Sequence, residues 1–278
     1  MIFDVHEETL IAVEKKMLQD FWERAACGEE LYLHDADRQG YAEQARRRYQ
    51  LEPYIERFAA FSTAKGQRVL EIGVGLGADH QRFAEAGALL SGIDLTARAI
   101  VHARRRLELV GLGSALSQGD AENLEFADAT FDVVYSWGVI HHSPDTRRAV
   151  AEIHRVLKPG GTAKIMIYHR ASLVGYMLWV RYALLRLRPR LTLTDIYARY
   201  LESPGTKAYS VSAASHLFAA FSSVKIETVL THGDLLESVA GQRHRGLFLS
   251  IARHIWPRAL LRRFASRHGL FMLISALK

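Results

Sequence analysis

Apolar positions change their period along the chain, and the change divides it. Over residues 1–66 they recur every three to four positions: Leu10, Val13, Met17 and Phe21, with Leu18, Trp22 and Ala25 beside them. After a break at Cys27-Gly28 the same spacing resumes at Tyr41, Ala45 and Tyr49. This predicts amphipathic helices that need a surface to pack on. Pro53 stands where a first helical turn tolerates it, ahead of Ile55, Phe58, Ala59 and Phe61. From residue 68 the pattern becomes short apolar runs separated by helical stretches. Residues 68–72, 89–93, 131–137 and 162–168 read as strands, and 79–86, 97–110 and 146–157 as helices. The alternation predicts an α/β fold with a Rossmann-like, doubly wound, mostly parallel sheet. Two late apolar runs, 224–230 and 270–277, are expected to be the last two strands of a seven-stranded sheet, six of whose strands the pattern places. Between them and the earlier strands lie an apolar and basic helix (172–187), a polar loop (202–206) and a further helix (212–221). The expected organisation is a helical lid over 1–66 and one domain over 67–278, with a helical cap insertion at about 169–223.

Composition narrows the class. With 278 residues, 49 % apolar and 24 % charged, and 6 prolines, the chain is globular rather than disordered or collagenous. Its one cysteine, Cys27, excludes an intrachain disulfide, a four-cysteine zinc site and a thiolate-held iron–sulfur cluster. The first ten residues carry acid where a secretory leader carries base, and the longest apolar run is interrupted by Arg181 and Arg186. A cytoplasmic protein is expected. The net charge of +6 is unevenly spread: residues 170–278 hold 16 Lys and Arg against 5 Asp and Glu, whereas residues 1–169 hold 20 against 25. Arg181, Arg186, Arg188 and Arg190 stand among Tyr176, Leu178, Trp179 and Leu184, and a second basic run spans 243–267 with Ile255 and Trp256. This mixture suits an anionic membrane surface, met peripherally at its inner face, or an amphiphilic substrate. It equally suits a helical cover whose arginines snorkel to solvent. Nucleic acid is not favoured, since no arginine–glycine repeat or RNA module is present. The oligomeric state is not legible.

The strongest local motif is Val69-Leu-Glu-Ile-Gly73-Val-Gly75-Leu-Gly77-Ala78, a strand running into glycines and then a helix. Glycines let a backbone approach a ligand and present N–H groups at a helix N-terminus. Gly73, Gly75 and Ala78 also satisfy the dinucleotide pattern, so the motif alone does not choose a cofactor. The next strand ends in Asp94, placed to accept two ribose hydroxyls or, alternatively, to cap the following helix.

Five segments in order, VLEIGVGLG (69–77), GIDLT (92–96), GDAENLEF (119–126), FDVVYSWGVIHH (131–142) and EIHRVLKPGG (152–161), resemble the class I methyltransferases that use S-adenosylmethionine. The likeness is to the small-molecule type related to quinone-biosynthesis C-methyltransferases, and it covers residues 67–168 firmly. It implies that Gly73, Gly75 and Gly77 pack against the methionine part of the cofactor and that Glu71 fixes their loop. Asp94 would hold the ribose and Leu95 pack on the adenine. Asp120 would accept from the adenine amino group while the Ala121 N–H meets a ring nitrogen. Asp120 also reads as a turn residue after Gly119. Ser136 and Trp137 lie at a strand's carboxyl end, where open α/β sheets bind ligands. Lys158-Pro-Gly-Gly161 reads as a tight turn.

The reaction so implied moves a methyl group to a small or medium-sized organic acceptor, leaving S-adenosylhomocysteine. Transfer from a sulfonium is an in-line displacement governed by positioning, and a base is needed only if the acceptor must lose a proton. His141, Tyr168 and His169 are the candidates for that role, with His142 beside them. Packing against the cofactor or capping the next helix is the alternative for the paired histidines. No acidic or cysteine partner accompanies them, which argues against a metal. Trp22, Tyr32 and Tyr41 are candidates to line an acceptor pocket, or else pack the lid. Cys27 reads as a small buried hydrophobe at a helix end, with substrate contact as the alternative. A thiol acceptor suits a compact closed site, and a lipid-like one suits a membrane-facing cap. A silent cofactor-binding partner protein is the reading from another class.

Overall fold

The computed structural model describes residues 2–237, 254 and 256–278, with side chains from residue 9 onward. In chain order the N-terminal helices are α1 (Ile2–Arg24), α2 (Glu29–Tyr32), α3 (Arg38–Leu51) and α4 (Tyr54–Ala59). The α/β part follows as β1 (Arg68–Ile72), α5 (Ala78–Glu85), β2 (Leu89–Asp94), α6 (Ala97–Leu109), β3 (Ala115–Gln118), β4 (Phe131–Trp137), α7 (Thr146–Val156) and β5 (Leu157–Tyr168). Then come α8 (Leu173–Tyr182), α9 (Leu193–Ile196) running into a π-helical turn (Tyr197–Leu201), α10 (Val211–Leu217), β6 (Ser223–Val229), α11 (Arg258–Phe264) and β7 (Phe271–Leu277).

The seven strands form one sheet in the order β3-β2-β1-β4-β5-β7-β6. β1 to β5 pair in parallel, and β7 enters antiparallel between β5 and β6. The expected fold class is the one found. A dinucleotide-binding sheet of order 3-2-1-4-5-6 would be parallel there. Strand residues alternate between two cores. Leu70, Ile72 and Val134 meet Val150 and Ile153 of α7 and Phe218 on one face, while Val69 and Tyr135 meet Ile55, Ala59, Phe61 and Phe83 on the other. Order reverses between β1 and β4, which opens a crevice at their carboxyl ends.

Several sequence expectations are corrected. The strand β3 was not among the predicted runs, because it is a short, largely exposed edge strand without an apolar period. Lys158-Pro-Gly-Gly161 is not a separate turn but the irregular start of β5, where the register against β4 shifts. The helix expected over 172–187 ends at Tyr182 and is followed by a short 3-10 turn. In α1 the apolar stripe points outward, with Leu10 63 %, Val13 52 % and Met17 54 % exposed. The face turned to the protein carries Lys15, Gln19 and Glu23 as well as Leu18 and Trp22, because it covers a polar crevice rather than a core. The predicted lid is divided, since Ile55, Ala59, Phe61 and Ala64 belong to the core beside β1 and only the helices before them reach over the crevice. Of the second basic run, residues 243–253 and 255 lie outside the described residues.

Candidate functional site

The loop after β1 is a backbone cradle. Gly73 has φ 80° and Gly75 φ 50°, in the left-handed region that costs a side-chain-bearing residue strain. At Gly73 a Cβ would also collide with Val139, 2.1 Å away. The Gly75 N–H donates to Asp94 at 3.1 Å, tying the loop to the end of β2. The other Asp94 oxygen accepts from the Thr96 N–H (3.0 Å) and hydroxyl (2.8 Å). The cap of α6 is Thr96, which accepts from Ala99, so capping is not the role of Asp94 itself. Burial pushes the Asp94 carboxyl up, opposed by these three donors.

Behind the loop, Glu71 Oε2 lies 2.8 Å from His80 Nδ1, and His80 Nε2 lies 2.7 Å from the Ser114 hydroxyl. Burial holds Glu71 well above the usual carboxylate range and pushes His80 down to about 3. A protonated Glu71 donating to a neutral imidazole, which in turn donates to Ser114, satisfies every atom of the chain.

One continuous cavity is lined by Glu71, Gly73, Gly75, Gly77, Asp94, Leu95, Asp120 and Ala121 at its first end, with Leu76, Thr96 and Glu122 beside them. Asp120 is both a turn residue and a wall of the cavity: it accepts from the Glu122 N–H, and its other oxygen lies 2.5 Å from Lys15 Nζ. The cavity continues past Trp137, Gly138 and Met166 to a second end formed by Trp22, Cys27, Glu52, His142, Tyr168 and Glu202. There the Tyr168 hydroxyl donates to Glu202 at 2.7 Å, and His142 Nε2 stands 3.5 Å from the same carboxylate. His142 is oriented by Ser203 Oγ on its Nδ1 (2.8 Å). Trp22 meets the His142 ring edge to face.

Other candidates stand outside the cavity. His141 is fully buried behind Tyr168, its ring 4.0 Å from the phenol ring, and neither nitrogen meets a partner among the described residues. Burial, then His142 and Lys207, keep it neutral; the histidine that reaches the cavity is His142. His169 Nδ1 is engaged with the Gly269 carbonyl. Ser136 donates to the Ile72 carbonyl and is a strut between strands. Tyr41 pairs with His102, and its carbonyl accepts from the buried Arg106, so it packs the lid. Tyr32 packs under Gly28 and does not line the cavity. Cys27 is an exposed thiol at the cavity mouth, 3.7 Å from Glu202, not a buried hydrophobe. Lys15, Arg48, Glu52 and Glu202 line the site without having been singled out, because each stands in an ordinary helical or polar-loop context.

Residues 70–165 match the methyltransferase domain family. Over 132 residues the chain is 36 % identical to the phosphatidylethanolamine N-methyltransferase of Cereibacter sphaeroides, covering 47 % of this chain and 64 % of that one. Over 116 residues it is 39 % identical to phosphoethanolamine N-methyltransferase 2 of Caenorhabditis elegans, covering 41 % and 26 %. The chain thus spans less than two thirds of the length of these relatives. Among solved structures, phosphoethanolamine N-methyltransferase 2 of Haemonchus contortus, in complex with phosphomonomethylethanolamine and S-adenosylhomocysteine, superposes with a TM-score of 0.60 at 20 % identity, over 94 % of this chain and 60 % of that one. Residues 70–165 thus match the methyltransferase domain family, and the sheet and helices around them have the fold of a solved methyltransferase.

Proposed function

We propose that the chain transfers a methyl group from S-adenosylmethionine to a small or medium-sized organic acceptor. The observation that carries this is that one cavity is lined both by the glycine cradle with Asp94 and Asp120 and by Trp22, Tyr168 and Glu202, which puts a cofactor surface and an acceptor surface in the same space. The residues fit the cofactor. The backbone around Gly73, Gly75 and Gly77 can reach its amino-acid part, Asp94 retains lone pairs for ribose hydroxyls, and Asp120 with the Ala121 N–H suits the adenine edge. Carboxylates along the wall favour a cation. Bound there, the cofactor supplies an electrophilic methyl whose sulfonium charge is lost on transfer. The protein's part is to hold the acceptor in line, exclude water with α1 and take a proton where the acceptor carries one.

A peripheral membrane reading is favoured by one surface. Leu184, Leu185 and Leu187 follow α8 at 48 %, 60 % and 91 % exposure, between Arg181, Arg186, Arg188 and Arg190. Such a tip suits an anionic bilayer presenting an amphiphilic acceptor. Among the described residues no helix is long and apolar enough to cross a membrane. Flotation with anionic liposomes checks this reading: Leu187→Asp should leave the protein unbound, and a wild type that fails to float contradicts it.

For methyl transfer itself the test is calorimetric titration with S-adenosylhomocysteine and, in parallel, with a nicotinamide dinucleotide. Saturable one-to-one binding of the first alone is expected. Absence of heat with S-adenosylhomocysteine overturns the reading.

A further inference from the structure

We infer that the cavity end beyond Trp137 is a subsite for an aliphatic ammonium group, with Glu202 holding the cation and Glu52 taking its proton, an assignment that rests on methyl transfer as the reaction of this cavity. Two carboxylates reach this end from distant parts of the chain, Glu52 just after α3 and Glu202 just after the π-helical turn. The cations that line the cavity are already engaged: Lys15 with Asp120 and Glu122, and Arg48 with Asp79 at 2.7 Å. Arg48 approaches Glu52 only to 3.4 Å. Among the described residues Glu52 Oε2, shut off from solvent, makes no hydrogen bond and has Arg48 beside it at 3.4 Å, and His142 Nε2, on a side chain 5 % exposed, likewise makes none. A buried carboxylate oxygen that faces one cation at ion-pair distance and makes no hydrogen bond is left under-satisfied, and an N–H of a bound ligand would complete it.

Acceptor classes differ in the charge they bring. A phenolate or thiolate would put a further negative charge between two carboxylates, whereas an ammonium neutralises them. Trp22, Trp137 and Tyr168 add aromatic surface that suits a cation before and after methylation. The two carboxyl groups are also driven apart. Burial raises Glu52 to about 7, opposed by Arg48 and aided by Asp79, with a hydrogen bond from Trp137 and repulsion from Glu202 as lesser effects. Cys27, Tyr32, Tyr54 and Tyr168 are the other titratable groups that feel its charge. At Glu202 burial acts upward, but His142, Tyr168 and Cys27 together hold the carboxyl below its usual range. One group is a fixed anion and the other a proton acceptor near neutral pH.

The step balances without a further reactant. Glu52 carboxylate removes one proton from R–NH3+, the freed lone pair forms the N–CH3 bond, and the C–S bond breaks with its pair left on sulfur. The products are R–NH2–CH3+, protonated Glu52 and a neutral thioether.

Binding of a primary ammonium tests this without turnover. With the full chain saturated in S-adenosylhomocysteine, ethanolamine is compared by calorimetry with its neutral carbon isostere, 1-propanol. Ethanolamine should bind at least tenfold more tightly, and Glu202→Gln and Glu52→Gln should each abolish most of that preference while S-adenosylhomocysteine still binds. Equal affinities, or no binding of ethanolamine, overturn the ammonium subsite and leave methyl transfer standing. Failure to bind S-adenosylhomocysteine overturns both. The wild-type comparison decides the matter by itself if either variant fails to fold.

Discussion

Lys15 of α1 places its ammonium 2.5 Å from the carboxylate of Asp120 and 2.8 Å from that of Glu122, so the first helix is fastened over the end of the cavity assigned to adenine. The same helix is held at Gln19, which donates to the Leu95 carbonyl, and at Glu23, which accepts from the N–H groups of Ala97 and Arg98 at the start of α6. These contacts hold α1 as a cover over that end of the cavity.

Lys15→Met should therefore speed the release of S-adenosylhomocysteine. The Lys15 and Asp120 side chains are 27 % and 29 % exposed, so solvent screening limits the pair to about 1 kcal/mol, or roughly a fivefold increase in the dissociation rate. Stopped-flow displacement measures this directly. An unchanged rate would show that Lys15 does not fasten the cover.

Glu71→Gln should be nearly neutral for stability near pH 4, within about 1 kcal/mol by urea unfolding, and stabilising at pH 7, because Glu71 is held protonated while the unfolded carboxyl is ionised at pH 7, and an amide can donate to His80 in its place. The sign follows from the raised pKa. Protonated Glu71 stabilises the fold fully below the unfolded carboxyl pKa, and that contribution is lost as pH rises through the folded value. Wild type should accordingly gain on Glu71→Gln as the solution is made acidic. A loss of about 3 kcal/mol or more at pH 7 would instead indicate an ionised pair with His80.

Glu52 sets the expected pH dependence of turnover with an amine acceptor. Its carboxyl must be ionised to take a proton, so kcat/KM should fall about tenfold per pH unit below about 7 and level off above it. Glu52→Gln should lower kcat/KM and remove this acid limb. A variant that keeps the limb would assign the proton acceptor elsewhere.

What the sequence disclosed follows from where the physics is local. The glycines after β1, Asp94 and Asp120 act through backbone conformation and short-range hydrogen bonds, and their motif spacing names them. The acceptor end is assembled otherwise. Arg48 and Glu52 form an (i, i+4) pair that any exposed helix could carry, and Glu202 stands in a polar loop. Only the packing of α3 against α5 and α6, and the contact of the 202–206 loop with Tyr168 of β5, turn them inward. Adjacent residues His141 and His142 look equivalent in the sequence, yet the turn after β4 sends one ring behind Tyr168 and the other into the cavity. For α1, hydrophobic periodicity marks a stripe correctly but not its direction, since the crevice it covers prefers the polar face.

The most direct test of cofactor use is calorimetric titration of the wild-type chain and of Asp94→Ala with S-adenosylmethionine. Asp94 accepts from the glycine loop and is assigned two ribose hydroxyls, so its loss should weaken binding by about 2 kcal/mol or more, roughly thirtyfold. Wild-type binding with a reduction of that size in the variant is the predicted result. Equal affinity in the two proteins, or no binding in either, would contradict the assignment of this cavity to S-adenosylmethionine.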